Sequence, residues 1–210
     1  MIKVITFDIG GTLLKNKKNK DRKDNYNIKN LSLLVNADYD EVRNAYKNIF
    51  QKKNGTLIEL TKLFCDSINI KVNDEIIEFF TNKFKSNEEA SINKEDLDLI
   101  KRLKEKGYII ILFSNSCVLQ ENKLQGKDLQ NIDYVFYSYD LGYTKNEEES
   151  YKIIEEKLGY KPNEFLHIGD DLKSDYLSPK KYGWNSLYYT KEKNNDYEIT
   201  DLNEIENKLN

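Results

Sequence analysis

The sequence predicts an α/β protein, with a doubly wound parallel sheet and an inserted all-helical cap. Short apolar runs recur along the chain and alternate with segments of helical periodicity, which is typical of strand–helix–strand units. Between residues 15 and 90 this alternation stops, and only amphipathic helices are indicated. We therefore expect residues 1–14 and 91–210 to form the α/β core and residues 15–90 to form the cap.

Five runs of the core are predicted to be strands because they are apolar almost throughout, as in a parallel sheet covered on both faces. They are residues 2–7, 108–113, 133–138, 165–168 and 186–189. Capping residues indicate the helices between them: one helix begins after Asn93 and stops at Gly107, and another ends at Gly159.

The cap segment is predicted to contain three amphipathic helices. One follows Asp38, whose spacing to Glu41 matches a capping box. A second carries the apolar residues of 57–64, and a third begins near Asn73. A lysine-rich tract, residues 14–30, leads into these helices. We interpret the tract as a solvated linker, with attraction of anions toward the site as the alternative.

Composition excludes several classes of function. The chain has 33 basic and 36 acidic residues and a net charge of −3, so nothing indicates a nucleic-acid or membrane partner. No run approaches the roughly 20 apolar residues that span a bilayer, and the initial MIKVITFD is unlike a signal peptide. Cys65 and Cys117 stand far apart without a CxxC pattern, so we expect two reduced thiols. These features favour a cytoplasmic protein.

The first predicted strand lies in a candidate functional motif, VITFDIGGTLL at residues 4–14. Asp8 ends the apolar run, at the edge where doubly wound sheets bind their ligands. The turn FDIGGT resembles two families. In sugar kinases of the actin-like fold it binds phosphate, and in the haloacid dehalogenase-like (HAD) superfamily its aspartate is the nucleophile. This motif alone does not decide between them.

The remaining motifs favour the HAD superfamily, because they follow in its order over essentially the whole chain. The kinase fold needs two similar domains and a longer chain. Here IIILFSNS supplies Ser114 and Asn115 at the end of a strand, and YTKNEEES supplies Lys145 before a helix. Asn146 stands where a proline is usual. The fourth motif is the acidic loop GDDLKSD, with Asp170, Asp171 and Asp175.

The resemblance implies a Rossmann-like core with strand order 5-4-1-2-3 and a magnesium-dependent reaction. Oxygen ligands suit this hard cation. The predicted metal site consists of Asp8, the Gly10 carbonyl, Asp170 and Asp175, and whether Asp171 or Asp175 supports the metal stays open. The predicted phosphate-binding residues are Ser114, Asn115 and Lys145. Asp8 and Lys145 are the predicted catalytic residues, with Asp8 attacking phosphorus to give an aspartyl-phosphate intermediate.

Gly10 departs from the pattern of most HAD phosphatases, which carry a second aspartate at this position. That aspartate protonates the leaving alcohol and then activates the attacking water, and a glycine can do neither. The sequence therefore predicts a phosphatase for a small phosphorylated metabolite that is weak, or selective for good leaving groups. His167, the single histidine, is expected to be packed structure and not a general base.

Two alternatives remain open at the level of sequence. A phosphonatase-like or other specialised HAD hydrolase would also lack the second aspartate, and a phosphonatase needs a cap lysine, such as Lys47, Lys52 or Lys53. The other alternative is a catalytically weakened protein that binds phosphorylated ligands or a protein partner. HAD dehalogenases dispense with the metal, whereas this chain keeps its acidic fourth motif.

Overall fold

A computed structural model describes residues 1–14, 26–85, 91–120, 124 and 126–209, and a six-stranded parallel sheet forms its centre. The strands are β1 (Val4–Phe7), β2 (Ile109–Ser114), β3 (Tyr134–Tyr137), β4 (Phe165–Gly169), β5 (Asn185–Tyr189) and β6 (Glu198–Ile199). Their order is β3-β2-β1-β4-β5-β6, with every neighbouring pair parallel. The α/β fold and the expected order of the first five strands are confirmed. The sequence did not predict β6, because two residues are too few to give an apolar run.

Helices cover the sheet and fill the segment after β1. They are α1 (Ile28–Val35), α2 (Tyr39–Phe50), α3 (Leu57–Ser67), α4 (Asp74–Phe84), α5 (Lys94–Glu105), α6 (Ser138–Leu141), α7 (Glu148–Leu158), α8 (Ser178–Lys181) and α9 (Ile205–Lys208). A π-helix, Leu172–Leu177, follows β4. Among the helices of these described ranges, none is both long and apolar enough to cross a membrane.

Capping residues begin several helices where the sequence indicates. The Asn93 side chain accepts a hydrogen bond from the backbone of Asp96 at the start of α5, and Asn73 caps α4 in the same way. Asp38 caps α2. The reciprocal bonds of a capping box are found instead at the start of α3, between Thr56 and Glu59.

The end of the lysine-rich tract is helical, so its interpretation as a linker is wrong there. Asn27 caps α1, and residues 28–30 form the first turn of that helix. The part of the tract at residues 15–25 lies outside the described residues.

Three apolar clusters organise the molecule. Alternate residues of the strands enter opposite layers of the core, as in Val4 on one face of β1 and Ile5 on the other. The third cluster belongs to α1–α4 and includes Phe50, Phe64 and Phe80. Cys117, in the loop after β2, also packs into this third cluster. Both cysteines are buried and free of disulfide bonds.

The sheet brings three chain segments to one edge. In the parallel register Phe7 of β1 pairs with Leu112 of β2 on one side and with Ile168 of β4 on the other. The residues that follow these positions therefore emerge close together. They carry the polar side chains of the candidate site.

Candidate active site

A buried lysine joins two carboxylates at the carboxyl edge of the sheet. Lys145 Nζ lies 2.6 Å from Asp8 Oδ1 and 2.5 Å from Asp175 Oδ1. The Phe113 ring lies below the ammonium group, with its centroid 5.8 Å from Nζ. Burial alone would lower the pKa of Lys145, but Asp175 and Asp8 raise it above its ordinary value. Lys145 is therefore a permanent positive charge inside the site.

Asp175 is held on all sides. Besides Lys145, its Oδ1 accepts from His167 Nε2 at 3.1 Å, and its Oδ2 accepts from the Asp171 backbone N–H at 2.9 Å. Gly169 makes this packing possible, because a Cβ there would lie 2.4 Å from the Asp175 Cγ. Burial alone would raise the pKa of Asp175, but Lys145 and His167 bring it well below its ordinary value. Asp175 is consequently ionised.

His167 supports this carboxylate from within the sheet. Its side chain is fully buried, and burial lowers its pKa, so the ring is neutral. Because a carboxylate only accepts hydrogen bonds, Nε2 carries the proton and donates to Asp175. Nδ1 then accepts from the Thr6 hydroxyl, 2.7 Å away. The expectation that His167 is packed structure is confirmed, and the ring has a defined partner on each nitrogen.

Asp8 is the less stabilised of the two buried carboxylates, since one ammonium serves both. Burial raises the pKa of Asp8 to about 7; Lys145 opposes this shift, and the charge of Asp175 adds to it. Partial burial and Asp175 also raise the pKa of Asp170, whose side chain lies at the exposed rim. One oxygen from each of the three carboxylates lies within 4.8 Å of the others. When all three carboxylates are ionised, the cluster has an excess of two negative charges over the single positive charge of Lys145.

The donor set fits a hard divalent cation. Carboxylate oxygens are preferred ligands of such ions, and the excess negative charge matches the charge of the ion. The turn after β1 leaves room for the Asp170 carboxylate because Gly11 has no side chain. A Cβ on Gly11 would lie only 2.1 Å from Asp170 Oδ2. Gly11 has a φ of +93°, a conformation that favours glycine. The Gly10 carbonyl takes no part in the turn's two bonds, which join Gly11 N–H to the Leu14 carbonyl and Leu14 N–H to the Ile9 carbonyl.

The other two predicted residues, Ser114 and Asn115, lie at the carboxyl end of β2. Ser114 ends β2 and is buried, on the strand next to β1. Asn115 Oδ1 accepts from the Lys145 backbone N–H at 2.8 Å, and the Tyr151 hydroxyl donates to the Lys145 carbonyl at 2.7 Å. Asn115 therefore fixes the backbone of Lys145, leaving its amide N–H groups as the donors for a ligand.

Glu147 connects the Lys145 loop to the helical segment. Its Oε2 accepts from the backbone and the hydroxyl of Thr144, each at 2.9 Å. Its Oε1 accepts from Lys52 Nζ at 2.5 Å, and Lys52 follows the end of α2. A single carboxylate thus orders the loop before Lys145 and contacts the helices above it.

Asn146 joins the same loop to the π-helix. Its amide lies within hydrogen-bond distance of the Ser174 hydroxyl, and its Oδ1 accepts from Ser178 at 3.1 Å. Its carbonyl accepts from the Tyr182 hydroxyl at 2.9 Å. The asparagine that replaces the usual proline therefore links two loops that contribute to the site.

Comparison with known proteins agrees with this arrangement. A family model of haloacid dehalogenase-like hydrolases matches residues 2–183 of the chain. The chain belongs to this HAD family. An uncharacterized hydrolase of Schizosaccharomyces pombe is 29% identical over 207 residues, covering 89% of this chain and 90% of that protein.

Solved HAD structures share the fold. A HAD family enzyme from Bacteroides thetaiotaomicron, crystallised with magnesium and inorganic phosphate, is similar with a TM-score of 0.62 at 20% identity, over 94% of this chain and 98% of that one. A 2-haloacid dehalogenase from Pseudomonas syringae pv. Tomato DC3000 has a TM-score of 0.62 at 16% identity, over 100% of this chain and 98% of that one. At these identities the likeness concerns the HAD fold.

Two features of this HAD site were missed from the sequence. One is the support of Asp175 by His167, which in turn accepts from Thr6. His167 and Thr6 are polar residues inside apolar strands, and this pattern could have indicated their role. The other is the pair of Lys52 with Glu147, which no sequence pattern indicates, because the two residues are far apart in the chain.

Proposed function

We propose that this HAD hydrolase is a magnesium-dependent phosphatase that acts on a small phosphorylated metabolite. The observation that carries the proposal is the buried Lys145, which bridges Asp8 and Asp175 while Asp170 lies at the open rim. The magnesium and phosphate bound by the similar Bacteroides enzyme support it.

Asp8 is the nucleophile of this proposal. Its carboxylate attacks phosphorus, the bond from phosphorus to the leaving oxygen breaks, and Asp8 becomes an aspartyl-phosphate. The Ser114 hydroxyl and the Asn115 amide donate to phosphoryl oxygens, and Lys145 holds the nucleophile and the transferring group by charge. Water then attacks phosphorus, which releases phosphate and restores Asp8.

Asp8, Asp170 and the Gly10 carbonyl would hold the magnesium ion. Bound there, the ion would offset the repulsion between the Asp8 carboxylate and the anionic phosphoryl group. Asp175 has a different part, because both of its oxygens already accept hydrogen bonds. Its role is to hold Lys145 in place.

Gly10 sets the choice of leaving group. With no side chain there, the departing oxygen receives no proton from this position. The carboxylate of an acyl phosphate and the phenolate of an aryl phosphate leave as stabilised anions without protonation, so these phosphates are the better substrates, and alkyl phosphates are the poorer ones.

The test is phosphate release from acetyl phosphate, 4-nitrophenyl phosphate and glycerol phosphate, in Mg²⁺ and in EDTA. We expect turnover of the first two in Mg²⁺ and its loss in EDTA. Asp8→Asn should abolish it, and mass spectrometry after acid quench should find phosphate on Asp8 of the native protein. Asp170→Ala should lose the response to Mg²⁺, and the exposed Asp171→Ala should largely keep it. Activity unchanged in EDTA would contradict the proposal.

A phosphonatase-like reaction is the second candidate, and Lys47 on α2 favours it. Lys47 is half-buried, and burial, Arg43 and Lys173 lower its pKa. A lysine with a lowered pKa is suited to forming a Schiff base with a carbonyl substrate. Incubation with phosphonoacetaldehyde and borohydride distinguishes the two reactions, because only the second leaves a reduced adduct on Lys47.

A further inference from the structure

A line of buried polar side chains leads from the centre of the sheet to the site lysine. Thr6 and His167 are register partners on β1 and β4, and both are fully buried. The Thr6 hydroxyl lies 2.7 Å from His167 Nδ1, and His167 Nε2 lies 3.1 Å from Asp175 Oδ1. The same Asp175 oxygen lies 2.5 Å from Lys145 Nζ. Since neither Thr6 nor His167 reaches the surface of the site, any part they take in the reaction passes through Asp175.

The Thr6 hydroxyl holds the His167 ring in the form that donates to Asp175. If Nδ1 carried the proton, the Nε2 lone pair would face the ionised carboxylate, and two facing acceptors form no hydrogen bond. With the proton on Nε2, the ring donates to Asp175 and Nδ1 accepts from Thr6. The Leu166 carbonyl is a second acceptor within reach of the Thr6 hydroxyl, but at the longer distance of 3.3 Å.

His167 and Lys145 share one oxygen of Asp175. Oδ1 accepts from both of them, and Oδ2 accepts from the Asp171 backbone N–H. The donors from His167 and Asp171, one on each oxygen, fix the plane of the carboxylate, so Lys145 binds to an oxygen that is already held. Without the His167 donor, Oδ1 would be left with Lys145, and the two groups could shift together.

The hold of Asp175 on Lys145 matters most after Asp8 has reacted. In the free protein, the Lys145 ammonium lies between two carboxylates, those of Asp8 and Asp175. When Asp8 attacks phosphorus, its negative charge is spent on the new oxygen–phosphorus bond. Of the two carboxylates, Asp175 then still attracts the ammonium as an anion. The position of Lys145 against the phosphoryl group of the intermediate therefore depends on Asp175, and through it on His167.

We propose that Thr6 and His167 are positioning residues of the reaction, which act through Asp175 to hold the Lys145 ammonium against the phosphoryl group while Asp8 is phosphorylated. They serve the attack of water on the aspartyl-phosphate more than the formation of this intermediate. The inference rests on the proposed function, because that function supplies the aspartyl-phosphate.

Two amides at position 167 form the matched pair of variants. The amide of glutamine extends to the position of Nε2 and can donate to Asp175. The shorter amide of asparagine stays near the position of Nδ1 and does not reach Asp175. Both variants lose the ring and its edge contact with Phe113, whose centroid lies 5.9 Å from that of His167. A purely structural role of His167 would therefore be impaired in both.

Steady-state hydrolysis of 4-nitrophenyl phosphate in Mg²⁺ separates the two steps. Release of nitrophenol completes the first step, so kcat/KM reports formation of the intermediate, whereas kcat also includes its hydrolysis. His167→Asn should lower kcat about tenfold and kcat/KM by less than about threefold, since a displacement of about 1 Å can cost up to about 10²-fold in rate. His167→Gln should keep both within about threefold. Equal losses in the two variants, or a kcat/KM that falls as far as kcat, would overturn the proposal.

Thr6 provides a second pair of variants, which decides if His167→Asn does not fold. Thr6→Val removes the donor to Nδ1 and should lower kcat about threefold, whereas Thr6→Ser keeps the hydroxyl and should keep kcat. Thr61→Val is the control, because Thr61 is fully buried on α3 and its hydroxyl has no hydrogen-bond partner among the described residues. A Thr6→Val variant as active as Thr61→Val would contradict a role for the Thr6 hydroxyl.

Nuclear magnetic resonance tests the hold on Lys145 without any substrate. The Asp8→Asn variant imitates the loss of charge at Asp8, and exchange of the Lys145 ammonium protons with water is then compared after adding His167→Asn or His167→Gln. Exposed ammonium groups exchange fast, whereas Lys145 is only 2% exposed. We expect exchange about tenfold faster with asparagine than with glutamine. Because His167 is the single histidine, its ¹⁵N resonances also report which nitrogen carries the proton. A proton on Nδ1 would overturn the proposal.

The outcomes separate this inference from the phosphatase proposal. If ammonium exchange is equal in the two double variants, the positioning role is wrong, and the phosphatase proposal still stands on the activity of the native protein. If the native protein hydrolyses no phosphate ester in Mg²⁺, the phosphatase proposal is wrong. The claim about the second step then fails with it, even where the exchange rates show that His167 holds Lys145 through Asp175.

Discussion

His167 Nε2 donates to Asp175 Oδ1 across 3.1 Å, so the carboxylate that holds the site lysine is itself fixed from inside the sheet. The buried chain of contacts runs from Thr6 through His167 and Asp175 to Lys145. Each member has its partners before any ligand arrives, and the geometry of Lys145 is therefore preorganised.

Asp175→Asn should destabilise the protein strongly. The substitution removes one partner of a buried ion pair and leaves Lys145 with Asp8 alone, which costs about 3–5 kcal/mol. Urea unfolding measures the loss. Asp171→Asn is the control, because Asp171 is exposed and an asparagine can also cap the π-helix. Equal and small losses of stability in both variants would show that the ion pair of Asp175 with Lys145 does not stabilise the protein by this amount.

The stability of the metal-free protein should depend on pH through Asp8. Its folded pKa of about 7 lies above the ordinary 3.8, so the folded state binds more protons than the unfolded state between these values. The free energy of unfolding should therefore fall as pH rises through this window, by up to about 1.4 kcal/mol per pH unit.

Asp8→Asn removes this titration and isolates it from all other groups. In EDTA, the variant should gain stability relative to the native protein as pH rises from about 4 to 7. Urea unfolding at several pH values provides the comparison. If the difference in free energy of unfolding between Asp8→Asn and the native protein stays constant with pH, burial does not raise the pKa of Asp8.

Gly10→Asp should raise the hydrolysis of alkyl phosphates. A Cβ on Gly10 meets nothing within 4 Å, so the side chain has room. A positioned acid–base group typically contributes about 10²–10⁴ in rate, which sets the upper range of the gain. Initial rates with glycerol phosphate measure it. If the native protein already hydrolyses alkyl phosphates fast and Gly10→Asp adds nothing, another group supplies the proton.

The neighbouring glycine provides the contrast. Gly11→Ala should abolish activity, because its Cβ would lie 2.1 Å from Asp170 Oδ2 and its φ is +93°. Activity of Gly11→Ala close to that of the native protein would contradict the tight packing of Asp170 against this turn.

The native protein should show a burst of product followed by slow turnover. With Gly10 in place, the water that attacks phospho-Asp8 has no base at that position, so dephosphorylation limits the rate. Stopped-flow mixing with 4-nitrophenyl phosphate reports the burst, whose amplitude should approach one product per enzyme. A linear time course from the first turnover would place the slow step before the intermediate.

Lys52→Gln should loosen the helical segment above the site. We expect α1–α4 to act as a cap that closes over the core and excludes water. The pair of Lys52 with Glu147 is partly exposed, so its loss should cost at most about 1 kcal/mol of stability. Proteolysis within residues 16–29 should nevertheless become faster, and orthovanadate with Mg²⁺ should slow it. Lys101→Gln is the control: it breaks an exposed pair with Glu105 and should change neither the stability nor the rate of proteolysis.

The positions of the main site residues could be predicted from the sequence because of the geometry of parallel sheets. Asp8, Ser114 and Asp170 each stand where a strand ends, and the carboxyl ends of neighbouring parallel strands meet at one edge. The register confirms this for β1, β2 and β4. Lys145 was predicted from the order of the motifs, and its ion pair with Asp8 places it at the same edge of the sheet.

What the sequence could not provide was the pairing of side chains. Asp175 was expected only as a metal ligand, and its hold on Lys145 follows from a close approach to Gly169 that no periodicity reports. The contact of Lys52 with Glu147 depends on how the helices lie over the sheet, as does the exposure of Lys47. Two hydrogen-bonded residues at the edge of the sheet, Glu198 and Ile199, are likewise too few to give a pattern.

Cys117 is only 2% exposed, and it fills the apolar centre of α1–α4 although it lies in the loop that leaves β2. Val118 and Leu119 pack against the same centre. The apolar core of α1–α4 is therefore completed by residues from outside the segment 15–90. A chimera that exchanged only residues 15–90 between relatives would leave a cavity where Cys117, Val118 and Leu119 pack. Such a chimera would have to exchange the loop after β2 together with the helical segment.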